Sequence, residues 1–341
     1  MQKSARPYLI SLILLALIAF FSVMAGSTLI PPKILTGLLT SPLTGQAIPA
    51  EWQKFAIIVY KLRIPRAALI AMTGAALGAS GTAYQGLFRN PLADPYLIGI
   101  SSGAGLGAVL AMTINWPYTP LGLLAIPAAA FIGAILTVIL VYSLARVGKT
   151  VPTTNLILAG VAVSAFASAI TSFLMLFSRD ELHRAIAWLL GGNSVSGWQP
   201  VLMALPYTVL GLGALLTMGH KLNVLQFGDE QAQQLGLPVE RIRRWILAAA
   251  SLTTAAAVSF SGVIGFVGLI VPHLMRIIWG NDYRRIMPLS ILNGATMLLT
   301  ADLIARTVLA PREIPTGIIT ALVGAPFFLW VLRRAKQKYS W

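Results

Sequence analysis

An all-α, polytopic membrane protein is the fold class this sequence predicts: about ten transmembrane helices in a single domain over residues 1–341. Three observations carry it. Hydrophobic residues make up 57% of the chain and charged ones only 10%, whereas a soluble globule needs about a quarter charged to wet its surface. Mean hydropathy is +0.80. The apolar residues also gather into runs of the length a helix needs to cross the hydrocarbon core, about 20 residues. Secreted disulfide scaffolds, disordered tails and ordinary cytosolic enzymes are thereby excluded. With no cysteine there is no thiolate nucleophile and no Cys-ligated metal. The net charge of +15 does not imply a nucleic-acid partner. The cations sit in short loops between apolar runs, where membrane proteins carry them.

The runs fall at roughly 8–30, 66–88, 97–114, 121–143, 154–177, 198–218, 244–261, 264–280, 286–308 and 315–332. The first has the look of a signal peptide, with Lys3 and Arg6 ahead of it and Val23 and Ala25 fitting a cleavage site. Apolar residues nevertheless continue to Ile30 and many spans follow, which favours a retained helix. In the second, Pro65 suits the first helical turn, and Gly74 and Gly78 place small residues on one face. Gly99, Gly103 and Gly107 do the same in the third. The stretch 244–280 is too long for one crossing, and Gly262 and Gly265 divide it in two. Segments 31–65 and 219–243 are the extramembrane pieces long enough for a specific task.

Ten spans put both termini on one side. With that side cytoplasmic, sixteen Lys and Arg fall inside and nine outside, which agrees with positive-inside placement. The nine outer ones cluster near 54–66, 179–184 and 306–312, where a bacterial-type outer face has little reason to collect arginine.

Familiar motifs fail on inspection. The string GKT at 148–150 lacks the earlier glycine of a phosphate loop, since position 143 is Ser143, and Lys149 reads as a loop cation. Gly103, Gly105 and Gly107 do not complete a dinucleotide fingerprint, because Ala108 stands where the last glycine belongs. His183, His220 and His273 are scattered without a zinc-binding spacing. Asp302 is the one acid well inside a run, and Arg306 one turn on suggests self-neutralisation. That pairing weakens both an intramembrane protease and an ion-coupled secondary transporter.

Three segments carry functional signal. RIPR at 63–66 sets Arg63 and Arg66 to project together into the outer aqueous phase, either anchoring lipid phosphates or meeting carboxylates through paired hydrogen bonds. From Arg89 the chain reads RNPLADPYLIGISSGAG; its prolines break the helix and leave a gate or a helix–helix seam. Residues 225–243 hold a short amphipathic helix capped by Asp229 or Gly228 and ended by Gly236 and Pro238. Ala232 and Leu235 share one face of it, for a soluble partner or for the lipid interface.

With these strings in order, the chain resembles the FecCD-type permease family over about 55–335. The resemblance rests on RIPR, on the run from Gly74 through Ser80, Gly81 and Gln85 to RNPLADP, and on GISSGAG at 99–105. It continues through NLILAG at 155–160, WLLGG at 188–192 and GDEQAQQLGLP at 228–238. SGVIGFVGLIVPHLMR at 261–276, ADLIAR at 301–306 and EIPTGIITALVGAPFFLWVL at 313–332 complete it. The cobalamin permease looks especially similar.

The resemblance implies a type II ABC importer permease for ferric siderophores, haem or cobalamin. It would work as a homodimer in the cytoplasmic membrane, with two cytosolic ATP-binding-cassette subunits below and a periplasmic or extracellular substrate-binding protein above. ATP and Mg would be bound by the ATPase; this chain would hold no cofactor and catalyse nothing. It further implies that Arg63, Arg66 and Arg306 dock the binding protein, and that Asp229, Glu230, Gln231, Ala232, Leu235, Gly236 and Leu237 couple to the ATPase. Asn90, Leu92, Thr153 and Thr154 would form the cytoplasmic gate, with Pro152 a departure beside it, and spans 154–177 and 315–332 would line the path. The alternative is an ion-coupled secondary transporter with no ATPase partner.

Overall fold

A helix ringed by other helices needs no lipid-facing side chains, and this decides how the ten runs are built. The computed structural model describes residues 5–26, 28–114, 116, 119–148, 150–177, 181–192 and 197–339. Lys3, Lys149 and Arg179 lie outside them. The described residues contain fifteen α-helices and no strand. In order, α1 (Arg6–Met24) is followed by α2 (Pro32–Thr44) and α3 (Gln53–Ile57), which runs through a wider π-type turn (Ile58–Arg63) into α4 (Ile64–Leu87). Next come α5 (Ile100–Met112), α6 (Pro120–Ala145), α7 (Thr153–Phe177), α8 (Leu182–Leu189) and α9 (Trp198–Thr217). The short α10 (Gly219–Leu225) and α11 (Asp229–Gln234) precede α12 (Val239–Ser261), α13 (Val267–Trp279), α14 (Tyr283–Thr307) and α15 (Thr316–Tyr339). All ten predicted runs are helices, and α1, α6, α7, α9 and α14 are long and apolar enough to cross a membrane.

At the centre stands α4, with 19 of its 24 residues buried against α14, α12, α13 and α9. Its Gly-, Ala- and Ser-rich sequence is what close packing without a lipid face requires. A Cβ on Gly74 would meet Gly294 O at 2.2 Å, one on Gly78 would meet Ser290 O at 2.3 Å, and one on Gly81 would meet Gly268 O at 1.8 Å. The small face on α5 is used the same way, with Gly103 and Gly107 against Gly133 and Ala129 of α6.

The two short runs, α5 and α13, have 13 residues each, about 20 Å, and cannot span alone. Their partners explain this. Ser261, the last residue of α12, is 3.2 Å from Thr73, about 13 Å into α4. The α12–α13 turn at 262–266 is therefore buried about a third of the way along α4. It is made by Gly262 and Phe266 at positive φ, not by Gly265. The chain before α5 meets it there: Tyr96 donates its hydroxyl to Ile264 O at 2.8 Å and lies 3.2 Å from Ile264 N, which donates back. Broken backbone is tolerated at this depth because its polar groups find one another inside protein.

One expectation needs correcting. The helix does not start at RIPR; it passes through the π-type turn, where Ile64 N–H reaches back to Val59 O so that Pro65 costs no bond. The segment 31–65 packs on the bundle: Leu35 and Leu38 are buried, and Tyr60 donates its hydroxyl to Leu38 O.

Candidate functional site

One face of the molecule carries α11, and the other carries the RIPR arginines. On the α11 face, Gly228 at φ 106° opens the helix and Gly236 at φ 81° closes it. The closure is a Schellman turn, with Leu237 N–H on Ala232 O and Gly236 N–H on Gln233 O, both at 2.9 Å. The predicted stop at Gly236 and Pro238 is where the helix ends. Ala232 and Leu235 do not share a face, however. Ala232 is fully buried, whereas Leu235 sits in the closing turn and is 68% exposed, and Phe227, ahead of the helix, is 69% exposed. The helix ends at Gln234, so Leu235 falls one residue outside the i, i+3 relation with Ala232. Glu230, Gln231 and Gly236 are exposed as well. Asp229 caps nothing; it pairs with Arg243 at 2.7 Å and Arg89 at 3.5 Å.

The platform under α11 is rigid. Asn223 of α10 donates to Asp282 at 2.6 Å and accepts from Tyr283 N–H at 2.8 Å, which ties α10 to the start of α14. Asp282 caps α14 by accepting Arg284 N–H at 3.0 Å. The Arg284 guanidinium beside it holds this carboxyl well below the usual carboxylate range.

The predicted gate residues lie on this face too. Asn90 is exposed and its side-chain oxygen accepts Leu92 N–H at 2.9 Å. Arg89 before it has φ 52°, an uncommon conformation for a residue with a Cβ. From Ala93 the same segment turns inward: Asp94 accepts Tyr96 N–H at 2.8 Å, and Pro95 packs on Gly268. The segment therefore divides, with residues 89–91 exposed and Leu92 half-buried on this face, and 93–99 forming a seam. Thr153 and Thr154 begin α7; Thr153 is half-buried and Thr154 exposed.

On the opposite face the arginines do not project together. Arg63 is buried and donates to Val23 O at 2.8 Å, Met24 O at 2.6 Å and Thr28 O. Arg306 is buried and donates to Ser22 O at 3.0 Å and Ala25 O at 3.3 Å. The two guanidiniums thus cap the carbonyl end of α1, where helix carbonyls lack partners and the dipole is negative. This bonding ties the C-terminal end of α1 to α4 and α14. Arg66, 22% exposed, bridges Asp302 at 2.9 Å and Glu313 at 2.8 Å. The expected Asp302–Arg306 pair forms at 2.9 Å, a charge contact without hydrogen-bond alignment. Arg63 and Arg306 are thus structural, because each is aimed inward at α1; of the three, Arg66 alone retains partial access. Of the other cations that the sequence pattern assigns to the same side, Lys33, Lys54, Lys61, Arg184 and Arg312 are exposed.

Between the faces, α15 and the broken chain at Leu189, Leu190 and Val263 line an apolar groove of about 520 Å³, with Gly317, Ala321 and Ala325 along its floor. The predicted lining span 315–332 contributes to it, and 154–177 does not. Sequence reasoning passed over Arg243, Arg89, Phe227 and Glu313. The first two looked like ordinary loop cations, and only an exposed aromatic beside a glycine hinted at Phe227.

A multi-pass bundle of packed small-residue helices, with a rigid surface helix on one face and an apolar groove within, defines a membrane permease. The chain belongs to the FecCD transport family, which it matches over residues 14–334. It is 47% identical to the cobalamin import system permease protein BtuC of Halobacterium salinarum, covering 81% of this chain and 73% of the relative. Identity to the hemin transport system permease protein HmuU of Yersinia pestis is 42%, covering 82% and 84%. A solved structure described as an inward-facing conformation of a metal-chelate type ABC transporter aligns with a TM-score of 0.79 at 29% identity, over 96% of this chain and 98% of that one.

Proposed function

We propose that this chain is the transmembrane subunit of a binding-protein-dependent ABC importer that moves a large metal chelate (cobalamin, a ferric siderophore or haem) into the cytoplasm. The observation that carries the reading is α11: Phe227 and Leu235, one at each end of it, are exposed on a braced platform, a surface that water alone does not explain. Two copies of the chain enclose a path along the α15 grooves, and each presents α11 to one ATP-binding-cassette subunit. The α11 face and both termini are then cytoplasmic, in a cytoplasmic membrane. A substrate-binding protein docks on the arginine face through Arg66 and its exposed neighbours, while Arg63 and Arg306 hold the frame beneath.

Binding of ATP and Mg by the partner closes its two subunits, α11 carries that displacement into the bundle, and the path opens to one side at a time. Residues 90–92 and 153–154 close the cytoplasmic end. No residue of this chain makes or breaks a covalent bond. The groove's apolar, weakly polar lining suits a bulky chelate that must leave as readily as it enters. The relatives' names span cobalamin and hemin, so the chelate is left as a class.

The ion-coupled alternative needs an acid free to take up a proton or sodium. Asp302, fully buried between two arginines, is a poor candidate. The test is uptake of cobalamin, haemin and a ferric siderophore into proteoliposomes holding the chain with its co-expressed ATPase and binding protein. Uptake of one of these that requires ATP supports the proposal. Uptake by the chain alone, driven by a proton gradient without nucleotide, overturns it.

A further inference from the structure

The α11 helix touches the bundle through little besides one buried methyl, that of Ala232, and one carboxylate. That carboxylate is shared. Asp229 Oδ2 is 2.7 Å from Arg243 Nη2, and its Oδ1 is 3.5 Å from Arg89 Nη2. Arg89 reaches across to the opening of α11, where a Cβ on Gly228 would lie 3.4 Å from its Nη1. Arg243, 7% exposed, donates to Glu240 at 2.6 Å and to Val151 O at 3.4 Å. Two cations and two anions make the cluster self-neutral, so Arg243, its one buried member, has its charge balanced within the cluster.

The two distant ends of this cluster fall beside the two gate segments. Arg89 directly precedes Asn90 and holds a left-handed backbone conformation, φ 52°, of the kind that persists only when surroundings impose it. Val151 lies two residues before Thr153. We infer that the chain Arg89–Asp229–Arg243 is a coupling hub: Asp229 ties α11 to residues 89–92 through Arg89 and to residues 151–154 through Arg243, so displacement of α11 moves both gate segments together. These three are positioning residues, and the inference rests on the importer reading above.

A merely structural brace would lower stability without altering the response to nucleotide, and the test separates the two. The chain has no native cysteine, so single cysteines at Leu92 or Thr154 can be nitroxide-labelled in the assembled permease–ATPase complex. Distances between the labels on the two copies are measured with and without ATP, Mg²⁺ and vanadate. In the parent complex nucleotide shifts the distance at both positions. With Asp229→Asn the shift is lost at both. Combining Asp229→Arg with Arg89→Asp restores it at Leu92 only, because Arg243 then faces a like charge. An Asp229→Asn complex that responds as the parent does overturns the hub. If Asp229→Asn does not retain the ATPase, Arg89→Gln, an exposed residue, replaces it: loss at Leu92 with Thr154 still responding supports the hub, and a full response at both overturns it. A parent complex that gives no response sinks the importer reading itself.

Discussion

Replacing Asp302 with asparagine strikes the negative centre of the arginine face. The side chain is fully buried, accepts from Arg66 Nε and Nη2 at 3.1 and 2.9 Å, and lies 2.9 Å from Arg306 Nε. Arg66 is partly exposed and keeps Glu313, so water and one carboxylate still serve it. Arg306, 6% exposed, is left with the neutral oxygens of Ser22 and Ala25, which it already uses in the parent. Stranding one partner of a buried pair costs about 3–5 kcal/mol. Since Arg306 gains no new acceptor, Asp302→Asn should cost about 3 kcal/mol. Glu313→Gln, at a 53% exposed side chain, should cost under about 1 kcal/mol. The assay is SDS-induced unfolding of the purified chain in detergent micelles, followed by tryptophan fluorescence. A loss below about 1 kcal/mol for Asp302→Asn would refute the buried-pair reasoning.

Three further outcomes follow from the packing and the surface. Gly81→Ala drives a Cβ into Gly268 O and should destabilise the fold by about 1–3 kcal/mol, whereas Gly213→Ala, with open space around it, should be neutral or gain up to about 1 kcal/mol; unfolding midpoints in detergent decide this. Asp282→Asn weakens the cap of α14 by about 1 kcal/mol or less. Because the folded Asp282 pKa is depressed, its stabilisation is fully present above the unfolded value of about 3.9 and is lost as pH falls through the folded pKa. The difference between parent and variant should therefore stay constant at neutral and mildly acid pH and shrink only below about pH 4. Leu235→Asp, at an exposed position, should leave unfolding of the isolated chain unchanged and abolish co-purification of the ATPase; an intact complex would count against the coupling role of α11.

How much was legible in the residues varied with the range of the interaction. The ten runs were readable because burying a helix in lipid demands consecutive apolar residues, a local requirement. The small-residue faces at Gly74 and Gly103 were readable for a similar reason, and so was the stop at Gly236, where a single residue must accept positive φ. The Asp302–Arg306 pair was visible because it lies within one helical turn. What escaped were relations between segments far apart in the chain. Arg63 and Arg306 looked like free outer cations, since nothing near either of them in sequence shows that the carbonyl end of α1 lies within reach. Ala232 and Leu235 fitted a helical face that the chain leaves one residue too early.

The amino-acid sequence on its own determined that this protein lives in a bilayer, where its apolar helices run along the chain, and where a surface helix begins and ends. Each of those depends on the energy of a few neighbouring residues against lipid or water. Which arginines face inward, why α5 and α13 stop short, and that Asp229 joins α11 to residues on either side of it were decided only by the tertiary structure. Those outcomes depend on charges and backbone groups finding partners many residues away, and no local pattern records where such partners come to lie.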